Sequence, residues 1–435
     1  MTMAEPRVAE PTALARPTSR SRQLLAVCVG NAVEWFDWYI YSILAIYFAG
    51  QFFPATTDDS LVPLLSTLAI FAVGFFARPV GGLVIGVLAD RFGRRRALSG
   101  TIVGMGVGSL MIGLSPTYEQ IGILAPVILL VARIIQGASA GGEYAAGSAF
   151  LIESAPSARR GLFSSVFYMS ATVANLAAIG MAALLANLLA ADAMTSWGWR
   201  VPFLLGSVAA FVGLWVRRRA EETLHEDVIE KPKGDRVGLF DFFREHPKEA
   251  LQIFGLTAAP ALVFYVWTAF LPTYASITVG FDVSKGLVTG VISLSVFLLA
   301  LPVCGALSDK LGRRPMLIAF GLFFVIATVP LLSSLRPTMA SLLLVQVTGL
   351  LFIACWASIS AATAAELFPA RLRGAGIGFP YALAVALFGG TGPYVATWLV
   401  DIGHAERFGW YVAAIAAVST VVYFLLPETA KRPLR

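Results

Sequence analysis

Apolar runs of about twenty residues or longer recur along this chain, and they leave few folds open to it. A run of that length, wound as a helix rising about 1.5 Å per residue, matches the hydrocarbon thickness of a bilayer. A membrane β-barrel would instead need segments of about ten residues alternating in polarity, and none are evident. The 435 residues are 57% hydrophobic and 13% charged. A soluble chain carries roughly 25% charge, so the expectation is an all-α integral membrane protein embedded in a lipid bilayer.

Twelve spans are expected, at 24–50, 61–89, 97–114, 121–152, 162–190, 199–216, 251–277, 286–307, 315–334, 338–366, 374–400 and 408–426. Placing the Lys and Arg residues on alternate sides tests that division. It puts 26 of the 32 on the face with both termini and four (Arg200, Lys285, Arg336 and Arg407) on the other. The remaining two, Arg78 and Arg133, fall inside spans. An excess of that size marks the cytoplasmic face, so both termini are expected there. A wrong span count would have scrambled the asymmetry. The net charge of +6 is therefore topological and implies no nucleic-acid partner.

Arg78 and Arg133 lie deep in apolar sequence, where a charge costs at least about 2.5–3.5 kcal/mol unless protein or water surrounds it. Glu34, Asp37 and Glu143 repeat this with the opposite sign. Counting residues from the span ends puts the two arginines and the two span-1 acids near the midplane. A guanidinium can fork onto a carboxylate and keeps its proton, which suits it to hold an organic anion. The arginines either do that or neutralise neighbouring acids as helix clamps; the residues alone leave both open. Three acids against two arginines leave one carboxylate over, and Glu34, Asp37 and Glu143 are the candidate proton-coupling sites, Asp37 foremost. In span 4, Gln136, a candidate substrate contact, and Glu143 are seven apart and share a face, with Gly137, Gly141 and Gly142 permitting close helix approach.

The second half has no charge inside its spans. Its candidate substrate contacts are aromatic or polar: Tyr265 and Tyr381 first, then Trp267, Thr268, Tyr274 and Gln346. Trp38 and Tyr41 on span 1 join them. The three cysteines suggest neither metal nor disulfide, and the three histidines fall in expected loops. No cleavable leader is apparent. There is no nucleotide loop, metal cluster or nucleophile constellation, so neither an enzyme nor an ATP-driven pump is expected.

The chain also repeats itself. Gly86-Val-Leu-Ala-Asp90-Arg-Phe-Gly93-Arg-Arg-Arg96 follows span 2, and Gly305-Ala-Leu-Ser-Asp309-Lys-Leu-Gly312-Arg-Arg314 follows span 8, an offset of 219. Glu153 with Arg159-Arg-Gly161 is echoed by Glu366 with Arg371-Leu-Arg-Gly374. Two six-helix bundles are expected, 23–216 and 251–426, flanked by tails 1–22 and 427–435 and joined by a cytoplasmic linker, 217–250. Within the linker, Val237-Gly-Leu-Phe-Asp-Phe-Phe-Arg244 reads as a short surface helix.

These motifs, with Arg133-x-x-Gln136-Gly137, resemble the major facilitator superfamily over essentially the whole length. More narrowly, Gly30-Asn-Ala-Val-Glu-Trp-Phe-Asp37, Arg78-Pro-Val-Gly-Gly82, Gln136-Gly-x-x-x-Gly-Gly-Glu-Tyr144, Trp197-Gly-Trp-Arg-Val-Pro-Phe203 and Glu221-Glu-Thr223 resemble its metabolite:proton symporters. Gly374-Ala-Gly-Ile-Gly-x-x-Tyr381 and Phe388-Gly-Gly390 are most like α-ketoglutarate permeases.

The resemblance implies a proton-coupled symporter of small organic anions in a prokaryotic-type plasma (inner) membrane, working as a monomer without cofactor. It also implies that Asp90, Arg94, Glu153, Arg160, Asp309, Arg313, Glu366 and Arg373 form the cytoplasmic gate. Arg200 is a possible external gate. A zwitterionic osmolyte such as proline or betaine, or another metabolite such as shikimate, is the alternative substrate. Only nine residues follow Leu426, which argues against the coiled coil of osmosensing members.

Overall fold

The computed structural model describes residues 20–55, 57, 60–92, 94–141, 151–152, 155–221, 244–368 and 373–430, with the backbone alone for 20–30, 83, 86–92, 94–98, 216–221 and 373–375. Every described element is helical. In the first half these are α1 (Arg20–Phe52), α2 (Val62–Phe92), α3 (Arg94–Leu114), α4 (Leu124–Ala140), α5 (Arg160–Leu188) and α6 (Arg200–Glu221). In the second half α7 (Pro247–Tyr265) runs through a π-helical turn, Val266–Phe270, into Leu271–Val279. Then come α8 (Val283–Leu311), α9 (Arg313–Ser333) and α10 (Met339–Ala357, continued by Ser360–Leu367). α11 (Arg373–Ala384) passes through a second π-helical turn, Val385–Gly390, into Gly392–Asp401, and α12 spans Arg407–Leu425.

Among the described residues, nine helical stretches are long and apolar enough to cross a membrane, and Ser99–Leu114 and Leu124–Ala140 are shorter apolar helices. Local chemistry sets several starts. Asp282 accepts the Lys285 N–H at 3.2 Å and Thr338 accepts the Ser341 N–H at 3.3 Å, each closing the first turn of its helix. Pro247 opens α7, where a missing N–H costs nothing.

Apart from α5 and α8, whose most extensive contact is with each other, helices α1–α6 pack chiefly on one another, as do α7–α12. The two groups meet along α5 against α8 and α2 against α11. The α5–α8 seam is close because it pairs glycines: a Cβ on Gly161 would stand 2.5 Å from the Gly305 carbonyl oxygen, and one on Gly305 would stand 2.7 Å from that of Gly161. Gly305 is the first glycine of the second loop motif, so one part of that motif is a packing requirement. Small residues likewise let α2 approach α4, where a Cβ on Gly82 would lie 2.8 Å from the Gly141 carbonyl. This contact holds the backbones that carry Arg78 and Arg133.

Candidate functional site

Between the two groups of helices lies a cavity of about 20 Å³ lined by Asn31, Glu34, Trp35, Arg78, Phe167 and Tyr381, among others. That volume takes about one water molecule, too little for any larger solute. α1 supplies Asn31, Glu34 and Trp35, α2 supplies Arg78, and α11 supplies Tyr381. Asn31 is fixed by donating to the Phe167 carbonyl (3.2 Å) and the Ser170 hydroxyl (2.7 Å), and it accepts the Trp35 indole N–H at 2.9 Å.

The Arg78 guanidinium lies 4.0 Å from the Trp38 ring, 4.6 Å from Phe75 and 5.9 Å from Trp35. Contacts of this kind contribute about 0.5–2 kcal/mol each. They satisfy charge without using hydrogen-bond donors: Nε and one terminal nitrogen of Arg78 have no hydrogen-bond partner. The Tyr265 ring stacks on Trp35 at 5.9 Å and meets Phe75 edge-on at 4.9 Å, and its hydroxyl is unpartnered. The second half thus contributes Tyr265 and Tyr381 to the surroundings of Arg78.

Arg133 occupies a different place. It lies 3.6 Å from the Tyr41 ring, 5.3 Å from Trp38 and 5.8 Å from Phe71, and none of its three guanidinium nitrogens has a hydrogen-bond partner. It does not line the cavity. Equal depth from sequence put the two arginines in one layer, and the structure sets them around a common indole, Trp38, with only Arg78 exposed to the space between the halves. Tyr41 hydrogen-bonds the Thr67 carbonyl at 3.0 Å within the first half.

Asp37 is fully buried and also turns away from the cavity. Gly206 of α6 packs against its carboxylate, and the Ser109 hydroxyl of α3 faces it without closing a hydrogen bond. Gln136 donates to that same Ser109 at 2.9 Å, leaving its own carbonyl oxygen unpartnered. Of the span-1 acids, Glu34 faces the inter-half cavity and Asp37 faces the interior of the first bundle. Glu143 lies outside the described residues.

At the end of the molecule carrying the loop motifs, Arg160, Asp309, Arg313 and Glu366 meet. Arg313 pairs with Asp309 at 2.9 Å and with Glu366 at 3.4 Å, and Arg160 approaches Glu366 at 4.0 Å. Asp309 also accepts the backbone N–H groups of Gly161 and Leu162 at 2.8 and 3.1 Å. The Asp90, Arg94 and Arg373 side chains, and all of Glu153, lie outside the description. Arg200 is tied within the first half, to the Gly113 and Ser115 carbonyls at 3.2 and 2.6 Å.

Trp267, Gln346 and Tyr274 serve packing within the second half: Trp267 donates to Val345, Gln346 accepts from Ser293, and Tyr274 donates to Ala405.

Several participants are absent from the candidates read from sequence. Asn175, a polar residue within an apolar run, crosses the halves by donating to the Thr268 carbonyl at 3.0 Å. Thr429 donates to Glu366 at 2.6 Å, and Glu428 accepts the N–H groups of Arg313 and Arg314 at 2.9 and 3.0 Å. A signal for the latter pair existed: Glu428-Thr429 follows the last span as Glu222-Thr223 follows the sixth.

The sequence matches the Major Facilitator Superfamily over residues 27–379 and 285–435. It is 38% identical to the alpha-ketoglutarate permease of Escherichia coli (strain K12), over 99% of each chain. It is 32% identical to the proline/betaine transporter of Salmonella typhimurium, covering 95% of this chain and 85% of that one. Among solved structures, the proton:xylose symporter XylE bound to 6-bromo-6-deoxy-D-glucose superposes with a TM-score of 0.72 at 17% identity, covering 94% and 96% of the two chains, which shows a shared fold. Bundles divided by a central cavity, repeated loop motifs and these relatives agree: the chain is a membrane transporter, not an enzyme, and belongs to the Major Facilitator Superfamily.

Proposed function

We propose that this chain is a proton-coupled symporter importing a small organic anion, α-ketoglutarate or a related di- or tricarboxylate, across the plasma (inner) membrane. It would do so as a monomer without cofactor, driven by the proton gradient. Two six-helix bundles, twelve spans in all with both termini cytoplasmic, would rock about the cavity. The observation that carries the proposal is Arg78: a buried guanidinium at the wall between the halves, held by aromatic faces, with donors left over for a carboxylate. Tyr381 and Tyr265 would complete the anion's surroundings from the second half, and Arg133 would act from behind Trp38.

Asp37 is the favoured proton site. Without a closed hydrogen bond its carboxylate is costly to bury as an anion, and beside Arg133 it has reason to be one; such a balance is what a reversible proton site needs. Glu34 and Glu143 are the other candidates. The Arg160, Asp309, Arg313 and Glu366 cluster would be the closed cytoplasmic gate of this conformation.

A zwitterionic osmolyte is the second reading. It is favoured by the proline/betaine relatives and by Trp35 and Tyr381 in the cavity wall, aromatic groups suited to a quaternary ammonium. Proteoliposome uptake of α-ketoglutarate, succinate, citrate, shikimate and betaine, with and without an inward proton gradient, decides. Dicarboxylate uptake driven by the gradient is expected; betaine uptake with anions ignored would overturn the proposal.

A further inference from the structure

Trp38 is the one aromatic ring that both buried arginines touch, at 4.0 Å from Arg78 and 5.3 Å from Arg133. Arg78 otherwise rests on Trp35 and Phe75, and Arg133 on Tyr41 and Phe71, so among the described residues the two cation sites share no other ring. Trp38 is almost fully buried, its indole N–H has no partner, and it stays out of the cavity lining. On the cavity side stand Arg78, Glu34 and Tyr381. Behind stand Arg133, Asp37, Ser109 and Gln136, a buried polar compartment within the first bundle.

We propose that Trp38 is a positioning residue that couples anion occupancy at Arg78 to proton occupancy at Asp37, by holding the two guanidinium groups at a set separation with water excluded. The inference rests on the symport reading above and specifies how its two sites communicate. The physics is a sum of charges. Arg78 and Arg133 repel across the indole, and both favour an ionised Asp37. A carboxylate forked onto Arg78 cancels that cation, so the positive field at Asp37 weakens and a proton there is held more easily. By linkage, a proton on Asp37 then strengthens anion binding by the same factor. In a water-excluded interior the effect is several-fold larger than in solvent. Admitting water beside the indole screens it.

The groups facing Asp37 leave Arg133 as the main electrostatic partner. α4 brings Arg133 and α3 brings the neutral Ser109. α6 brings Gly206, while Arg78 of α2 stands on the other side of Trp38 and acts electrostatically on Arg133. On α1 itself Glu34 lies one turn away, at the cavity.

The test is α-ketoglutarate binding to the purified full-length transporter by calorimetry from pH 6 to 8, repeated in buffers of different ionisation heat to count protons taken up. Wild type is expected to bind about tenfold more tightly at the acid end and to take up a proton with the anion. Trp38→Phe keeps the aromatic face and should retain most of that ratio. Trp38→Gln admits water and should bind with the ratio cut below about threefold. Where Trp38→Gln is not monodisperse, Trp38→Leu replaces it with the same expectation. Full pH dependence and proton uptake in Trp38→Gln or Trp38→Leu would overturn the inference and leave symport intact. Wild-type binding with no pH dependence would remove the symport reading and this inference together.

Discussion

The Asp309 carboxylate of α8 accepts the backbone N–H of Gly161, the second residue of α5, at 2.8 Å. One half of the transporter thereby caps a helix of the other. The first N–H groups of a helix have no partner of their own and carry a partial positive charge, so an anion there is doubly favoured. The Leu162 N–H joins at 3.1 Å and the Arg313 guanidinium approaches the same carboxylate at 2.9 Å. The glycines at 161 and 305 permit the approach, so packing and polar capping act at one point. The motif's aspartate here makes an inter-half joint, and its Arg313 pairs with that same carboxylate.

Breaking that joint should shift the conformational balance. Asp309→Asn puts an amide against backbone donors and loses the Arg313 ion pair, at about 1–3 kcal/mol. A bias of roughly five- to a hundredfold toward the state open at the motif end is expected. Spin labels on Ser157→Cys and Lys310→Cys, both exposed and on opposite sides of the joint, should report a longer-distance population. Unchanged distances would show that the seam holds without the Asp309 carboxylate.

Substrate binding should depend on the shape of Arg78 as well as its charge. Arg78→Lys keeps one cation but loses the planar fork and most of the contact with Trp38 and Phe75. A loss of about 2 kcal/mol corresponds to roughly thirtyfold weaker binding. Titration with α-ketoglutarate measures it, and a change below threefold would mean that Arg78 clamps helices rather than substrate.

Coupling should be separable from transport at Asp37. Asp37→Asn removes the exchangeable proton while keeping the volume that Gly206 packs against. Counterflow between equal substrate pools should persist near wild-type rates, whereas gradient-driven accumulation should disappear. Accumulation that survives in Asp37→Asn moves the proton site to Glu34 or Glu143.

The stretch after α12 should stabilise α9 in a pH-dependent way. Burial alone would raise the Glu428 pKa, but the backbone N–H groups of Arg313, Ala430, Arg314 and Thr429 outweigh it and hold the group below its ordinary 4.5. Because the folded value is depressed, the stabilisation is present above 4.5 and is lost only as pH falls through the folded value. Gly312, at φ 105°, leaves room that a side chain would take from this carboxylate. Glu428→Gln should lower the thermal midpoint by an amount equivalent to about 1 kcal/mol at neutral pH. The difference from wild type should vanish in strong acid, and one that persists there would show that the carboxylate charge is not what caps α9.

The sequence by itself determined the helical membrane architecture, the presence of buried charge and the duplicated loop signals. The first two follow from costs that do not depend on neighbours: apolar length must match lipid, and charge in a span demands an interior. Its resemblance to the superfamily, carried by the repeated motifs, also brought Asp309, Arg313, Arg160 and Glu366 into one candidate set. What it could not decide was direction. Glu34 and Asp37 are three positions apart on one helix, about 60° around its axis, and their spacing assigns both to one broad face. Only the packing of α3 and α6 turns Asp37 into the bundle while Glu34 meets the cavity. Arg78 and Arg133 share a depth, and only the placement of Trp38 puts one at the cavity and the other behind it. The part played by Glu428 and Thr429 needs a fold that returns the stretch after α12 to the ends of α8 and α10. Depth and polarity are one-dimensional properties, readable along a chain; which side chain meets which is set by helices distant in sequence, and tertiary packing alone settles it.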